Sequence, residues 1–156
     1  GTVESNLRYG RQEAADEELS DAAETAQAID FINERPEGFR SEISQGGTNV
    51  SGGQKQRLSI ARALVKKPGI YIFDDTFSAL DFKTDAALRR ALGAKTAGAT
   101  MLIVAQRIGT VMHADKIVVL DEGEVVGIGR HDELMKGCEV YRQIALSQLS
   151  AEELQR

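Results

Sequence analysis

At Asn49-Val50-Ser51-Gly52-Gly53-Gln54-Lys55-Gln56-Arg57 two glycines stand where a polar loop gives way to a helix-forming run. Few backbone arrangements suit that order. Ser51 fits the N-cap and Gln54 the third helical position, so the two side chains can satisfy backbone N–H groups reciprocally while others point outward with the positive end of the helix dipole. Gly52 and Gly53 let a phosphate approach the backbone closely. In isolation the same residues make only a capping box with a glycine turn. Downstream, Leu58, Ala61, Leu64 and Val65 recur at helical spacing, Lys66 and Lys67 suit the negative helix end, and Pro68-Gly69 stop it. Ile70-Tyr71-Ile72-Phe73 then reads as a buried parallel strand ending in Asp74-Asp75. Two carboxylates thus fall at the carboxyl end of a strand, where open α/β sheets bind ligands.

These segments, in this order and spacing, resemble the nucleotide-binding domain of an ABC transporter. Val50-Ser51-Gly52-Gly53-Gln54 matches the signature motif, Ile70 to Asp74 Walker B, and Ser78-Ala79-Leu80-Asp81 the D-loop. Gly1 to Tyr9, read as a loop and short turn, resembles the segment after the Q-loop of exporters. Ser41 to Gly47 resembles their X-loop, which lies against coupling helices of the membrane domain, and His131-Asp132-Glu133-Leu134 a helix start near their C-terminus. The resemblance implies an α/β fold: an incomplete RecA-like P-loop NTPase core with a mostly parallel sheet, plus an α-helical subdomain. Residues 1–67 would form the helical subdomain, and residues 68–156 the C-terminal half of the core.

Around those motifs the chain reads simply. A mostly amphipathic helix is expected from about Ala14 to Asn33, ended by Pro36 and Gly38, and another over Thr84 to Leu92, broken at Gly93. Thr100 to Ala105 and Lys116 to Leu120 read as strands, the latter paired through an Asp121-Glu122-Gly123 turn with Glu124 to Gly129. Tyr141 to Leu149 reads as a helix with an acidic tail behind it. With 156 residues, 42% hydrophobic and 28% charged, the chain suffices for one globular domain. No apolar run approaches the ~20 residues that cross a bilayer. The single cysteine, Cys138, excludes an internal disulfide, suits a reducing compartment and reads as a small buried hydrophobe. A net charge of −5 with dispersed basic residues argues against a nucleic-acid groove.

By the resemblance, two such domains pair head to tail across ATP and Mg²⁺. Val50, Ser51, Gly52, Gly53, Gln54 and Asp81 would touch nucleotide, and Asp74 would hold Mg²⁺ through its water shell. Two positions depart from the family. Its usual catalytic glutamate is Asp75, and losing a methylene withdraws the carboxylate by ~1.5 Å, where a displacement of about 1 Å can cost ~10²-fold. Its switch histidine is Gln106, which donates a hydrogen bond but cannot become cationic. His113 and His131 lie at other family positions and read as surface or packing residues.

Degenerate catalytic positions beside an intact signature suit one subunit of a heterodimeric exporter, paired with a second, different nucleotide-binding domain. The chain contains no G-x-x-x-x-G-K-[ST]. It therefore reads as a soluble fragment that alone is inactive, from a transporter whose ATP-binding part lies on the cytoplasmic face of the membrane. Two rivals stand beside this reading. One is the C-terminal half of an SMC or Rad50-like ATPase, which the lack of a heptad run disfavours; the other is a nucleotide clamp that does not hydrolyse.

Overall fold

The computed structural model describes residues 1–148. The chain forms two compact units, the first spanning Gly1–Leu102 and the second beginning at Ile103. Among the described residues no helix is long and apolar enough to cross a membrane.

The first unit is built on a helix, and its first element corrects the sequence reading. Val3–Arg8 form α1 rather than a loop, because Thr2 and Ser5 cap each other: Ser5 N–H donates to Thr2 Oγ1 at 3.1 Å and Thr2 N–H to Ser5 Oγ at 2.9 Å. The long helix expected from Ala14 to Asn33 is two helices, α2 (Asp16–Thr25) and α3 (Ile29–Asn33). Gln27 breaks them apart with φ +56°, a left-handed conformation uncommon outside glycine. The next helix, α4 (Gly52–Lys66), supports that break from thirty residues away. Arg57 Nη1 donates to the Gln27 carbonyl at 2.6 Å, and the guanidinium lies 4.9 Å from the Phe31 ring centroid. Burial pushes the Arg57 pKa down from its ordinary value. Helix α4 buries Leu58, Ile60, Ala61, Leu64 and Val65 and packs on α1 and α2. It ends at Lys67 in the left-handed region (φ +51°), just before Pro68.

Strand β1 (Ile70–Asp74) follows and pairs with β2 (Thr100–Val104) in a small parallel sheet. The expectation of a strand buried on both faces holds for one face only: Tyr71 and Phe73 are buried, whereas Ile70 and Ile72 are 64% and 68% exposed. Helix α5 (Phe82–Lys95) runs on past Gly93, the expected breaker. A helical glycine costs only about 1 kcal/mol relative to alanine. Leu88 and Leu92, fully buried on the same helix, outweigh that loss.

The second unit centres on a hairpin. After the short helix α6 (Ile108–Val111), β3 (Ile117–Asp121) pairs antiparallel with β4 (Glu124–Gly129) through Glu122 and Gly123, both left-handed at φ +47° and +83°. This is the geometry two-residue hairpin turns favour. Helices α7 (His131–Gly137) and α8 (Glu139–Gln148) cover one hairpin face, joining Leu134, Cys138, Tyr141 and Ala145 to Ile117 and Val119. Cys138 is a free, buried thiol. Leu149 and the acidic tail lie outside the described residues.

One charged cluster gives a pH-dependent test of the first unit. Glu18 caps α2 by accepting from Ala15 N–H at 3.0 Å and pairs with Lys67 and Arg11. The Lys67 ammonium, then Arg11 and the Ala15 N–H, hold its carboxyl down at about 2, against an ordinary 4.5. A depressed folded pKa adds stability that is full above pH 4.5 and lost as pH falls toward 2. Glu18→Gln is therefore expected to lower Tm at pH 7, with the gap to the parent closing between pH 4.5 and 2 in thermal melts; a gap independent of pH contradicts the assignment.

Candidate functional site

The loop-to-helix junction forms as the residue order suggests. Ser51 is extended (ψ 164°) and accepts from Gln54 N–H at 3.2 Å, while Ser51 N–H donates to Gln54 Oε1 at 3.0 Å. With those two polar groups satisfied locally, the first turn of α4 stands at the surface: Ser51 and Gly52 are exposed and Gly53 and Gln54 half-buried. Val50 is buried and anchors the loop rather than presenting its side chain. Asn49 stiffens the approach from the other side, its amide donating to the Glu42 carbonyl at 2.8 Å and its oxygen accepting from Ser44 N–H at 3.0 Å.

The loop after β1 lies against this turn. Asp74 and Asp75 are exposed, and Asp75 is left-handed at φ +48°. A Cβ on Gly53 would stand 3.1 Å from the Ala79 carbonyl oxygen; one on Gly52 would meet only the Ala79 methyl, at 3.8 Å. So Gly53 has a reason to be glycine inside this chain, apart from any ligand. Phe77 and Leu80 are buried beneath the loop, Phe77 with its ring 5.6 Å from that of Phe73. Asp81 is the N-cap of α5: Thr84 N–H donates to Oδ1 at 2.9 Å and Thr84 Oγ1 to Oδ2 at 2.7 Å. Those bonds, the backbone one foremost, hold the Asp81 carboxyl below its ordinary pKa. Both oxygens thus serve the helix start, a local role the motif alone did not reveal.

The first unit brings Ser51, Gly52 and Gly53 together with the Asp75–Ala79 loop, while Gln106 belongs to the second. There its carbonyl accepts from Gln148 Nε2 at 2.9 Å, and Gln148 Oε1 accepts from Ile108 N–H at 2.9 Å, so the C-terminal end of α8 pins the backbone on both sides of Arg107. The Gln106 side chain is exposed. His131 packs locally, its Nδ1 2.8 Å from the Tyr141 hydroxyl. Among the described residues no group of three or more His, Cys, Asp or Glu is placed to hold a metal ion. Asp74 offers an exposed hard oxygen donor, which fits Mg²⁺ that keeps much of its water shell. The glycine-headed N-terminus of α4 fits a phosphate.

Motif order missed Gln56. Its side chain bridges α4 to the Asp75–Ala79 loop, with partners nineteen to twenty-three residues away that helical periodicity could not indicate.

This chain belongs to the ABC transporter family, whose model matches residues 1–78. It is 44% identical over 151 residues to an uncharacterized ABC transporter ATP-binding protein of Mycobacterium tuberculosis, covering 95% of this chain and 26% of that protein. A mitochondrial potassium channel ATP-binding subunit of Homo sapiens is 44% identical over 143 residues, covering 92% of this chain and 20% of that protein. The fold matches a bacterial Atm1-family ABC exporter solved with ATP bound: TM-score 0.91 and 36% identity, over 96% of this chain and 26% of that one. The chain thus spans about a quarter or less of the length of these relatives.

The contrast between the two glycines gives a test without a ligand. Gly53→Ala is expected to lower Tm relative to Gly52→Ala, because the Ala79 carbonyl it would crowd sits on a loop held by several hydrogen bonds. Equal melting temperatures for the two variants would show that the loop gives way freely.

Proposed function

We propose that this chain is the C-terminal portion of the nucleotide-binding domain of an ABC exporter and the degenerate-site subunit of a heterodimer. ATP binding and hydrolysis at the paired domains would drive export through a membrane domain. The observation that supports this most is the exposed, capped turn Ser51-Gly52-Gly53, whose geometry suits an anion, taken with Asp75 and Gln106 at the positions where the family resemblance expects Glu and His. In this reading residues 1–67 are the helical subdomain and residues 68–156 the C-terminal half of a RecA-like core, on the cytoplasmic face of the membrane. The exposed apolar face of β1, with Ile70 and Ile72, would be covered by the rest of that core.

The residues divide between two nucleotide sites. Ser51, Gly52 and Gly53 would face an ATP held by the partner domain, the Ser51 hydroxyl and the α4 N-terminus contacting its γ-phosphate. Asp74 would hold Mg²⁺ at this chain's own site, where the ion neutralises phosphate charge when bound. Asp75 would orient water there from a retracted position, and Gln106 would donate one neutral hydrogen bond, so turnover at that site is slow. Segment Ser41 to Gly47 would meet coupling helices of the membrane domain. Its Ser41 and Glu42 help to line an open cleft of about 510 Å³, together with Phe31, Arg35, Glu37 and Gln54. The second reading, a clamp that binds ATP without turnover, draws on the same two residues, Asp75 and Gln106, and predicts an assembled pair with no hydrolysis at all.

Two single variants in the assembled full-length transporter decide where turnover occurs. Gly52→Asp, at a position where a Cβ meets only the Ala79 methyl, sets a carboxylate against the partner's triphosphate and is expected to abolish most hydrolysis. Asp74→Asn, at this chain's own slow site, is expected to leave much more. Steady-state phosphate release measures both, and greater damage from Asp74→Asn sinks the asymmetric reading.

A further inference from the structure

The loop that carries Asp75 is held by a side chain outside every motif discussed above. Gln56, one turn into α4 and half-buried, uses both ends of its amide. Its Oε1 accepts from Ala79 N–H at 3.1 Å, while its Nε2 donates to Ser78 Oγ at 3.1 Å and, at the long end of the range, to the Asp75 carbonyl at 3.4 Å. This orientation is the one the network allows, since a flipped amide would set its oxygen against the Asp75 carbonyl and its NH₂ against an N–H. The Asp75 carbonyl also accepts from Ser78 Oγ at 3.0 Å and Ser78 N–H at 3.4 Å. Asp75 itself has φ +48°, a left-handed conformation uncommon outside glycine although aspartate is among the residues that tolerate it, and the bonds to its carbonyl fix it there. One turn earlier on α4, Gly53 packs close to the Ala79 carbonyl, so helix and loop meet backbone to backbone as well.

We propose that Gln56 is a positioning residue that locks the Asp75–Ala79 loop to the N-terminal turn of α4, so that Asp75 and Ser51 move as one body. Asp75 would serve this chain's own nucleotide and Ser51 the partner's. One amide side chain therefore links the half-site the chain keeps to the half-site it lends. This rests on the functional reading above for what the two ends do; the lock itself rests only on the hydrogen bonds.

Two variants in the full-length transporter separate this from packing. Gln56→Leu removes both ends of the amide. Gln56→Glu keeps the shape and the acceptor for Ala79 N–H but turns an oxygen toward the Asp75 carbonyl. Amide hydrogen exchange over residues 74–80 is expected to quicken about tenfold in both, with α2 unchanged, because local opening frees the Ala79 amide. In steady-state assays kcat is expected to fall roughly five- to tenfold, the scale of site-to-site coupling, with KM for ATP within about twofold.

Unchanged exchange over 74–80 in either variant overturns the lock. Faster exchange with unaltered kcat overturns the positioning role, and Gln56→Glu indistinguishable from the parent leaves only packing. If Gln56→Leu loosens the whole unit, Gln56→Glu alone decides. If the parent transporter hydrolyses no ATP, the functional reading fails by itself and the exchange experiment still judges the lock.

Discussion

Helix α4 needs partners for the N–H groups of its first turn, and the way it finds them organises the first unit. Ser51 and Gln54 close a reciprocal cap at 3.2 and 3.0 Å, which lets the turn stand at the surface without a covering segment. Below the cap, Leu58, Ile60, Ala61, Leu64 and Val65 are buried and form the seat for α1 and α2. Side chains on the helix flanks then fix non-helical backbone at a distance, Arg57 at the left-handed Gln27 and Gln56 at the loop of the left-handed Asp75. One helix therefore sets both the shape of the helical layer and the posture of the residue after the strand.

The apolar strands complement this. Tyr71 and Phe73 stack at 6.0 Å on the buried face of β1, and Phe77 continues that cluster under the loop. The other face presents Ile70 and Ile72, and the hairpin of the second unit presents Val118, Leu120, Val125 and Ile128. Near-continuous apolar runs of this kind belong to strands covered on both sides.

Much of this was legible from residue order, and the failures share a cause. The limits of α4 followed from Ser51, Gln54 and Pro68, whose effects are local, and the hairpin from Glu122-Gly123. The break between α2 and α3 was not, because Gln27 is no usual breaker and its conformation draws on Arg57. Helix α1 is too short for periodicity to register and declares itself only through the Thr2–Ser5 cap. Gly93 misled in the opposite sense, since nothing lies within 4 Å of it and the helix simply runs on. Residue types and order placed Ser51 and Gly53 at the start of a capped helix and Asp74 and Asp75 at the end of a strand, as the structure has them. They could not show that Asp81 caps α5 or that Gln56 spans to the loop, because those roles depend on three-dimensional contact.

In the proposed heterodimer this chain would lend an intact phosphate-facing turn to its partner while keeping a slow site of its own. Vanadate trapping of a photoreactive ATP analogue in the assembled transporter tests it most directly, since trapped nucleotide marks the subunit on which hydrolysis occurred. The account predicts label on the partner subunit and little on the polypeptide carrying this chain. Label concentrated on this polypeptide would contradict it.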